Sequence, residues 1–253
     1  MTEITQRIAE AVAVARSVLT YHGDPARAAA MDALYARFLK AGDLAFDIGS
    51  HVGDRVASFR RLGARVVALE PQPGPATVID QLFSGDQWVM LRRAACGARE
   101  GELTLKVNSA NPTVTTASAD FVAAADGAEG WQGQVWDREI TVPCLTLDRL
   151  IADHGLPAFV KIDVEGFEAD VLAGLSQALP ALSFEFTTIQ REVALACLDR
   201  LAALGPYRFD VALGESQQLT FGRPVSREAM AAHLAGLPHA ANSGDVYAVL
   251  AKD

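Results

Sequence analysis

An α/β fold with a largely parallel sheet is what this sequence of 253 residues predicts, on three observations. Short apolar runs recur between stretches of helical spacing, glycine turns separate the two, and most of the runs lack the polar alternation of a strand with one wet face. Strands of a parallel sheet covered by helices on both sides have that character, and strand–helix–strand is the unit that builds them. Glycine and proline, 20 and 11 residues, stand near average usage, which excludes collagen-like and low-complexity readings. With half its residues hydrophobic and no repeat or linker, the chain reads as one domain over 1–253.

In chain order, residues 1–20 place Ile4, Ile8, Ala11, Val12, Ala15 and Leu19 at helical spacing, with Glu3, Arg7, Glu10 and Arg16 between them. That predicts an amphipathic helix rather than a signal peptide. A second helix after Pro25 carries Met31, Leu34, Phe38 and Leu39 and stops at Gly42, completing a helical extension over 1–41. Leu44–Ile48 is the first strand, Val56, Phe59 and Leu62 mark a helix ending at Gly63, and Arg65–Leu69 is the second strand. Strands over 89–91, 159–164 and 182–186 follow, with helices over 168–175 and Arg191–Leu204. Residues 102–107 and 139–142 alternate apolar with polar, as half-buried antiparallel strands do. The insertion between them, 108–138, is rich in small and polar residues and is either partly helical or a lid. After a turn at 242–244, residues 246–250 close the sheet as an antiparallel edge strand.

Charge narrows the partners. Lys and Arg total 22 against 31 Asp and Glu, a net −9, so no basic surplus exists to displace counterions from a nucleic acid or to seek an anionic membrane. Cys96, Cys144 and Cys197 form no CxxC pair, which argues against a disulfide framework and against zinc. No run approaches the ~20 apolar residues of a membrane span. The expectation is a cytoplasmic protein without nucleic-acid or membrane partners, whose amphipathic N-terminus leaves a homo-oligomer open.

The turn Asp47-Ile-Gly-Ser-His-Val-Gly-Asp54 sits between the first strand and its helix, and Glu70 ends the next strand. Glycines there let a ligand approach the backbone, and an acid at Glu70 is placed to accept from both hydroxyls of a ribose. Asp47 and Asp54 would repel the pyrophosphate of NAD and attract the cationic methionine end of S-adenosylmethionine (SAM). The spacing Gly-x-x-x-Gly also departs from the dinucleotide pattern. SAM is therefore favoured. The bland alternative, that Asp47 and Asp54 only cap the helix, does not account for Glu70.

These motifs resemble those of the FkbM family of SAM-dependent methyltransferases from about residue 43 to 250. The matching pieces are Asp47-Ile-Gly-Ser-His-Val-Gly53, Leu69-Glu-Pro-Gln-Pro73, Ala95-Cys-Gly-Ala-Arg-Glu-Gly101, Thr146-Leu-Asp148, Lys161-Ile-Asp-Val-Glu-Gly-Phe-Glu168, Ser183-Phe-Glu-Phe186 and Gly244-Asp-Val-Tyr247. The resemblance implies a Rossmann-like class I methyltransferase fold, seven strands with the last antiparallel, and methyl transfer to a hydroxyl of a sugar or natural product. It places Asp47, Gly49, Ser50, His51 and Gly53 around the methionine end, Glu70 on the ribose, and Ala95 and Cys96 near the adenine, at the end of the third strand. Ser50-His51 stands where the family more often has Ala-Asn, and Ala98 where an acid is common.

On the acceptor side, a period of two puts Lys161, Asp163 and Glu165 on one side of their strand, and Glu185 ends the following one. Ligands of open α/β sheets bind beyond such strand ends. Asp163 is assigned as general base or acceptor-orienting group, with Glu165 and Glu185 holding substrate hydroxyls. The bland alternative is a salt bridge of Lys161 with Asp163 or Asp47, with Glu165 capping the next helix. His51 is an alternative base, and a Mg²⁺-assisted route ranks below a metal-free one. Trp131 and Trp136 either stack on a sugar or pack the insertion, and Gly214-Glu-Ser216 resembles a family pattern that faces the acceptor. A small-molecule or glycan acceptor follows. Competing readings are a nicotinamide-dependent oxidoreductase and a catalytically silent SAM-binding scaffold.

Overall fold

The computed structural model describes residues 3–251; Met1 and Thr2, with which the expected first helix begins, lie outside them. Helix α1 spans Glu3–His22 and α2 spans Pro25–Tyr35. Asp24 caps α2 by accepting from the backbone N–H groups of Ala26 and Arg27 at 2.8 and 3.2 Å, and Pro25 presets the first turn. The alternating unit then runs β1 (Leu44–Ile48), α3 (Asp54–Arg61), β2 (Arg65–Leu69), α4 (Pro73–Leu82) and β3 (Val89–Arg92). A side excursion follows: β4 (Ala95–Cys96), β5 (Gly101–Val107), α5 (Ala119–Ala125) and β6 (Arg138–Leu145). The chain then returns through α6 (Leu147–His154), β7 (Phe159–Ile162), α7 (Glu168–Ala173), β8 (Ala181–Thr187), α8 (Arg191–Leu204), β9 (Tyr207–Leu213), α9 (Arg227–Gly236) and β10 (Ser243–Leu250).

Seven strands form one sheet in the order β3-β2-β1-β7-β8-β10-β9. All neighbours are parallel except β10, which runs antiparallel to both β8 and β9. The strand period of two sorts the side chains into two cores. Leu44, Phe46, Ile48, Val160 and Ile162 join the cluster holding Leu172, Leu198 and Leu201 of α7 and α8. Ala45, Val66, Ala68 and Phe159 join Met31, Tyr35, Val56 and Phe59 of α2 and α3. Helices on both faces explain why these runs are apolar throughout.

Some expectations need correction and others hold. The last strand is antiparallel but lies inside the sheet; the edge is β9, whose alternation of Tyr207, Phe209, Val211 and Leu213 with polar Arg208 and Asp210 is a strand pattern. Ala95 and Cys96 do not end the third strand but form β4 of a second sheet, ordered β4-β6-β5. The antiparallel pair expected around 102–107 and 139–142 is β5–β6 of that sheet. β7 stops at Ile162, so Asp163 and Glu165 stand on the loop beyond it. The apolar stripe of α1, whose partner the sequence left open, faces outward, with Ile4 71%, Ile8 59%, Val12 53% and Leu19 75% exposed, while Ala13 and Ser17 pack inward. The insertion is partly helical: Val114, Phe121, Ala125 and Trp131 form a small core of their own. Among the described residues no helix is long and apolar enough to cross a membrane.

Phe159, fully buried, touches the rings of Tyr35, Phe38, Phe59 and Tyr247 at centroid distances of 5.0–6.5 Å. Replacing it by alanine removes that common contact, and Phe159→Ala is expected to cost about 3–5 kcal/mol in urea unfolding; a loss below about 1 kcal/mol would show that this face is not a packed core.

Candidate functional site

β1, β2 and β7 end level with one another, and the chain leaves each into a turn facing a cleft of about 900 Å³, counted to its open mouth. Gly49 follows β1 with φ +82°, and a Cβ there would lie 1.8 Å from the carbonyl oxygen of Asp163. Only glycine fits so close an approach. The N–H groups of Gly49 and Ser50 donate to the Leu69 carbonyl at 3.0 and 2.9 Å, and the Ser50 hydroxyl donates to the Asp47 carbonyl at 2.8 Å. His51, also left-handed at φ +47°, donates its backbone N–H to Glu70 Oε2 at 2.8 Å, while the Gln72 N–H donates to Glu70 Oε1 at 2.7 Å. Glu70 thus ties the turn after β1 to the turn after β2.

Burial sets the charges. Asp47 is 1% exposed and its Oδ2 meets no partner; desolvation pushes its carboxyl up to about 7. Desolvation also pushes Glu70 up to about 8, against the two N–H donors that favour its ionised form. Asp54 goes the other way. Burial opposes its charge, yet Arg55 at 2.6 Å and Arg27 at 2.8 Å hold it down to about 2. Both guanidiniums also reach Glu215, at 3.1 and 2.7 Å. The charge of Asp54 is therefore already compensated by two guanidiniums, whereas Asp47 has a buried Oδ2 without a partner.

Beyond β7, Lys161 is 1% exposed and donates to Asp163 Oδ2 at 3.1 Å and to Asp245 Oδ1, on β10, at 2.6 Å. Burial opposes the charge of Asp163, but Lys161, then Arg55, and a hydrogen bond from Glu185 keep its carboxyl below the usual range. Burial and the Asp163 charge push Glu165 and Glu185 well above theirs. Carboxylate oxygens of Asp163, Glu165 and Glu185 lie within 4.8 Å of one another, so the three acids do converge. Glu165 has φ +55°, and its carbonyl accepts from the Thr116 hydroxyl at 2.6 Å. Glu168, not Glu165, closes this turn: its Oε1 accepts from the N–H groups of Val164 and Gly166 at 3.0 and 3.3 Å.

Asp47, Gly49, Ser50, His51, Asp54, Glu70, Ala95, Cys96, Asp163 and Glu165 all line the cleft. Two expected residues do not. Gly53 starts α3, where a Cβ would meet Ile79 and Phe83 at 3.1 Å, so it serves helix packing. Glu185 lies behind the cleft wall and reaches it through Asp163. Tyr21, Arg55 and Gln72 also line the cleft, and so does Glu215 of the expected acceptor-facing turn. Gln72, inside the matched Leu69–Pro73 motif, was the legible one; it donates to the Pro112 carbonyl at 3.0 Å and accepts from Thr115 at 2.9 Å, tying the insertion to the cleft. Tyr21 carries no sequence signal, since only the α1–α2 corner brings it over His51, ring centroids 5.7 Å apart. Trp131 is buried with its indole N–H on Asn242, and the Trp136 N–H is on the Val114 carbonyl, so both pack the insertion.

The contact at Gly49 is a sharp point of sensitivity. Gly49→Ala must push the Asp163 carbonyl away and strain its own backbone. At least about 1–3 kcal/mol of stability should be lost, read by thermal unfolding; an unchanged midpoint would show that the two turns are free to separate.

Residues 47–201 match the family profile of the methyltransferase FkbM domain. No curated protein matches the chain. Similar solved structures include an O-methyltransferase from Bacillus cereus in complex with SAH, at 11% identity and TM-score 0.47, covering 99% of this chain and 92% of that one. Another is the precorrin-6y C5,15-methyltransferase from Geobacter metallireducens GS-15, at 13% identity and TM-score 0.45, covering 89% and 87%. A third is an rRNA methylase from Streptococcus thermophilus, at 11% identity and TM-score 0.43, covering 87% and 94%. The profile spans more than half of the sequence and takes in the glycine turn, Glu70 and the carboxylate cluster, so the chain belongs to the FkbM methyltransferase family, whose cofactor is SAM.

Proposed function

We propose that this methyltransferase methylates a hydroxyl group of a sugar or another small natural product, without a nucleic-acid or membrane partner. The observation that carries the reading is Asp163, an ionised carboxylate fixed at the end of β7 in the same cleft as the glycine turn. The residues fit the cofactor. Asp47, with its free Oδ2, faces where an ammonium would be received; Glu70 retains lone pairs for ribose hydroxyls; Ala95 and Cys96 leave room for a flat base. Bound SAM supplies an electrophilic methyl group on a sulfonium.

Asp163 orients the acceptor hydroxyl by accepting its hydrogen bond. As the new O–C bond forms and the C–S bond breaks, the oxygen becomes acidic, so even a carboxylate of low pKa can take its proton. Lys161 holds Asp163 ionised until then. Since Lys161 already places a cation 3.1 Å from Asp163, we read the route as metal-free. His51 is neutral at physiological pH, its burial lowering it to about 4, and it is left to line the cofactor side.

Asp163→Asn should lower kcat by about 10²–10⁴ while S-adenosylhomocysteine (SAH) still binds; full turnover with labelled SAM and a found acceptor would sink the assignment. Asp47 gives a pH test. Its carboxyl, near 7 in the free protein, must ionise to receive an ammonium, so binding releases a proton and strengthens as pH rises towards 7. Below that, SAH affinity should weaken by up to about tenfold per pH unit, and Asp47→Asn should flatten this limb in calorimetry. A wild-type profile already flat from pH 5 to 7 would contradict the role of Asp47.

A further inference from the structure

The wall of the cleft beside Asp163 carries more acid than the protein itself compensates. Three cleft-lining side chains are able to be cationic: Lys161, Arg55 and His51. Each is spoken for. Lys161 is shared between Asp163 and Asp245 at 3.1 and 2.6 Å. Arg55 is shared between Asp54 and Glu215 at 2.6 and 3.1 Å. His51 is kept neutral by burial. Against them, Glu165 is 7% exposed and no donor among the described residues reaches its carboxyl. Glu185 Oε2 is buried without a partner. Outside that cluster, Asp47, 1% exposed, also leaves Oδ2 unpartnered in the same cleft.

Resting on the methyl-transfer reading above, we propose that the acceptor is an amino alcohol, such as an amino sugar, whose protonated amine sits on Glu165, which lines the cleft, while its neighbouring hydroxyl rests on Asp163. The cluster's oxygens, within 4.8 Å of one another, are acceptors with too few donors. Burial favours the protonated form of Glu165 in the free protein; an ammonium brings three donors and a positive charge that favour its ionised form, which a neutral diol does not. A carboxylated or phosphorylated acceptor finds no free cation and meets like charge. A divalent ion would lie beside the Lys161 ammonium, which opposes it. Glu165 is held in place for this role by the Thr116 hydroxyl on its carbonyl, which maintains the left-handed backbone.

The test uses three probes matched in size and differing in charge: ethanolamine, ethylene glycol and glycolate. Each is titrated by NMR into the full chain saturated with SAH. Ethanolamine is expected to bind saturably and at least about tenfold more tightly than ethylene glycol, with no binding of glycolate. The Glu165→Gln variant should lose the preference for ethanolamine, and its SAH binding reports that it is folded. Equal binding of ethylene glycol, binding of glycolate, binding of no probe, or displacement of ethanolamine by Mg²⁺ would each overturn the proposal. In all four cases SAH binding leaves the cofactor reading standing. Failure of SAH to bind the wild-type chain would instead overturn the methyl-transfer reading, and this proposal with it.

Discussion

The ammonium of Lys161 is the buried charge around which the site is built. It sits on β7 at 1% exposure and reaches across β8 to Asp245 on β10, while also holding Asp163. An ammonium removed from water would shed its proton unless carboxylates hold it, and here two of them keep it charged. The reverse also holds. Asp163, buried among acids, would be protonated without Lys161, and a protonated Asp163 could not accept a hydroxyl's hydrogen. One interaction therefore joins the interior antiparallel strand to the parallel half of the sheet and sets the charge state of Asp163.

The turn after β1 depends on the loop after β7 through backbone contact. Gly49 lies so close to the Asp163 carbonyl that the turn after β1 and the loop after β7 form one unit. Glu70 extends the unit to β2, and Gln72 extends it to the insertion. From outside the sheet, the α1–α2 corner adds Arg27, which pairs with Asp54 and Glu215, and Tyr21, which covers His51. The charge of Asp54 goes into fixing these added segments. That leaves Asp47, with a buried Oδ2 that meets no partner, and Glu165 as cleft-lining acids that no cation among the described residues engages.

Much of this was legible in the sequence where local pattern and final environment agree. Leu44–Ile48, Asp47 to Asp54 and Glu70 read as strand, turn and acid because a parallel strand is apolar on both faces and a cofactor turn needs glycine. The convergence of Asp163, Glu165 and Glu185 followed from their places at adjoining strand ends, although β7 stops before Asp163. Other features depend on partners far away in the chain. The side on which α1 packs was left open by its amphipathic pattern: the apolar stripe, Ile4 to Leu19, is the outward face, whereas small Ala13 and Ser17 permit close approach to the body. β9 was hidden by Arg208 and Asp210, which an edge strand tolerates. The compensation of Asp54 required Arg27 and Glu215, whose meeting no spacing announces. Ala95 and Cys96 line the cleft as expected, but from the second sheet rather than from the end of the third strand.

The central claim is that the cleft at the ends of β1, β2 and β7 receives SAM. Calorimetric titration of the full chain with SAH, with NADH as the parallel control, tests it most directly. Saturable one-site binding of SAH and silence with NADH is the predicted result. Binding of NADH in place of SAH would contradict the account, and so would the absence of any SAH heat across the range from pH 6 to 9.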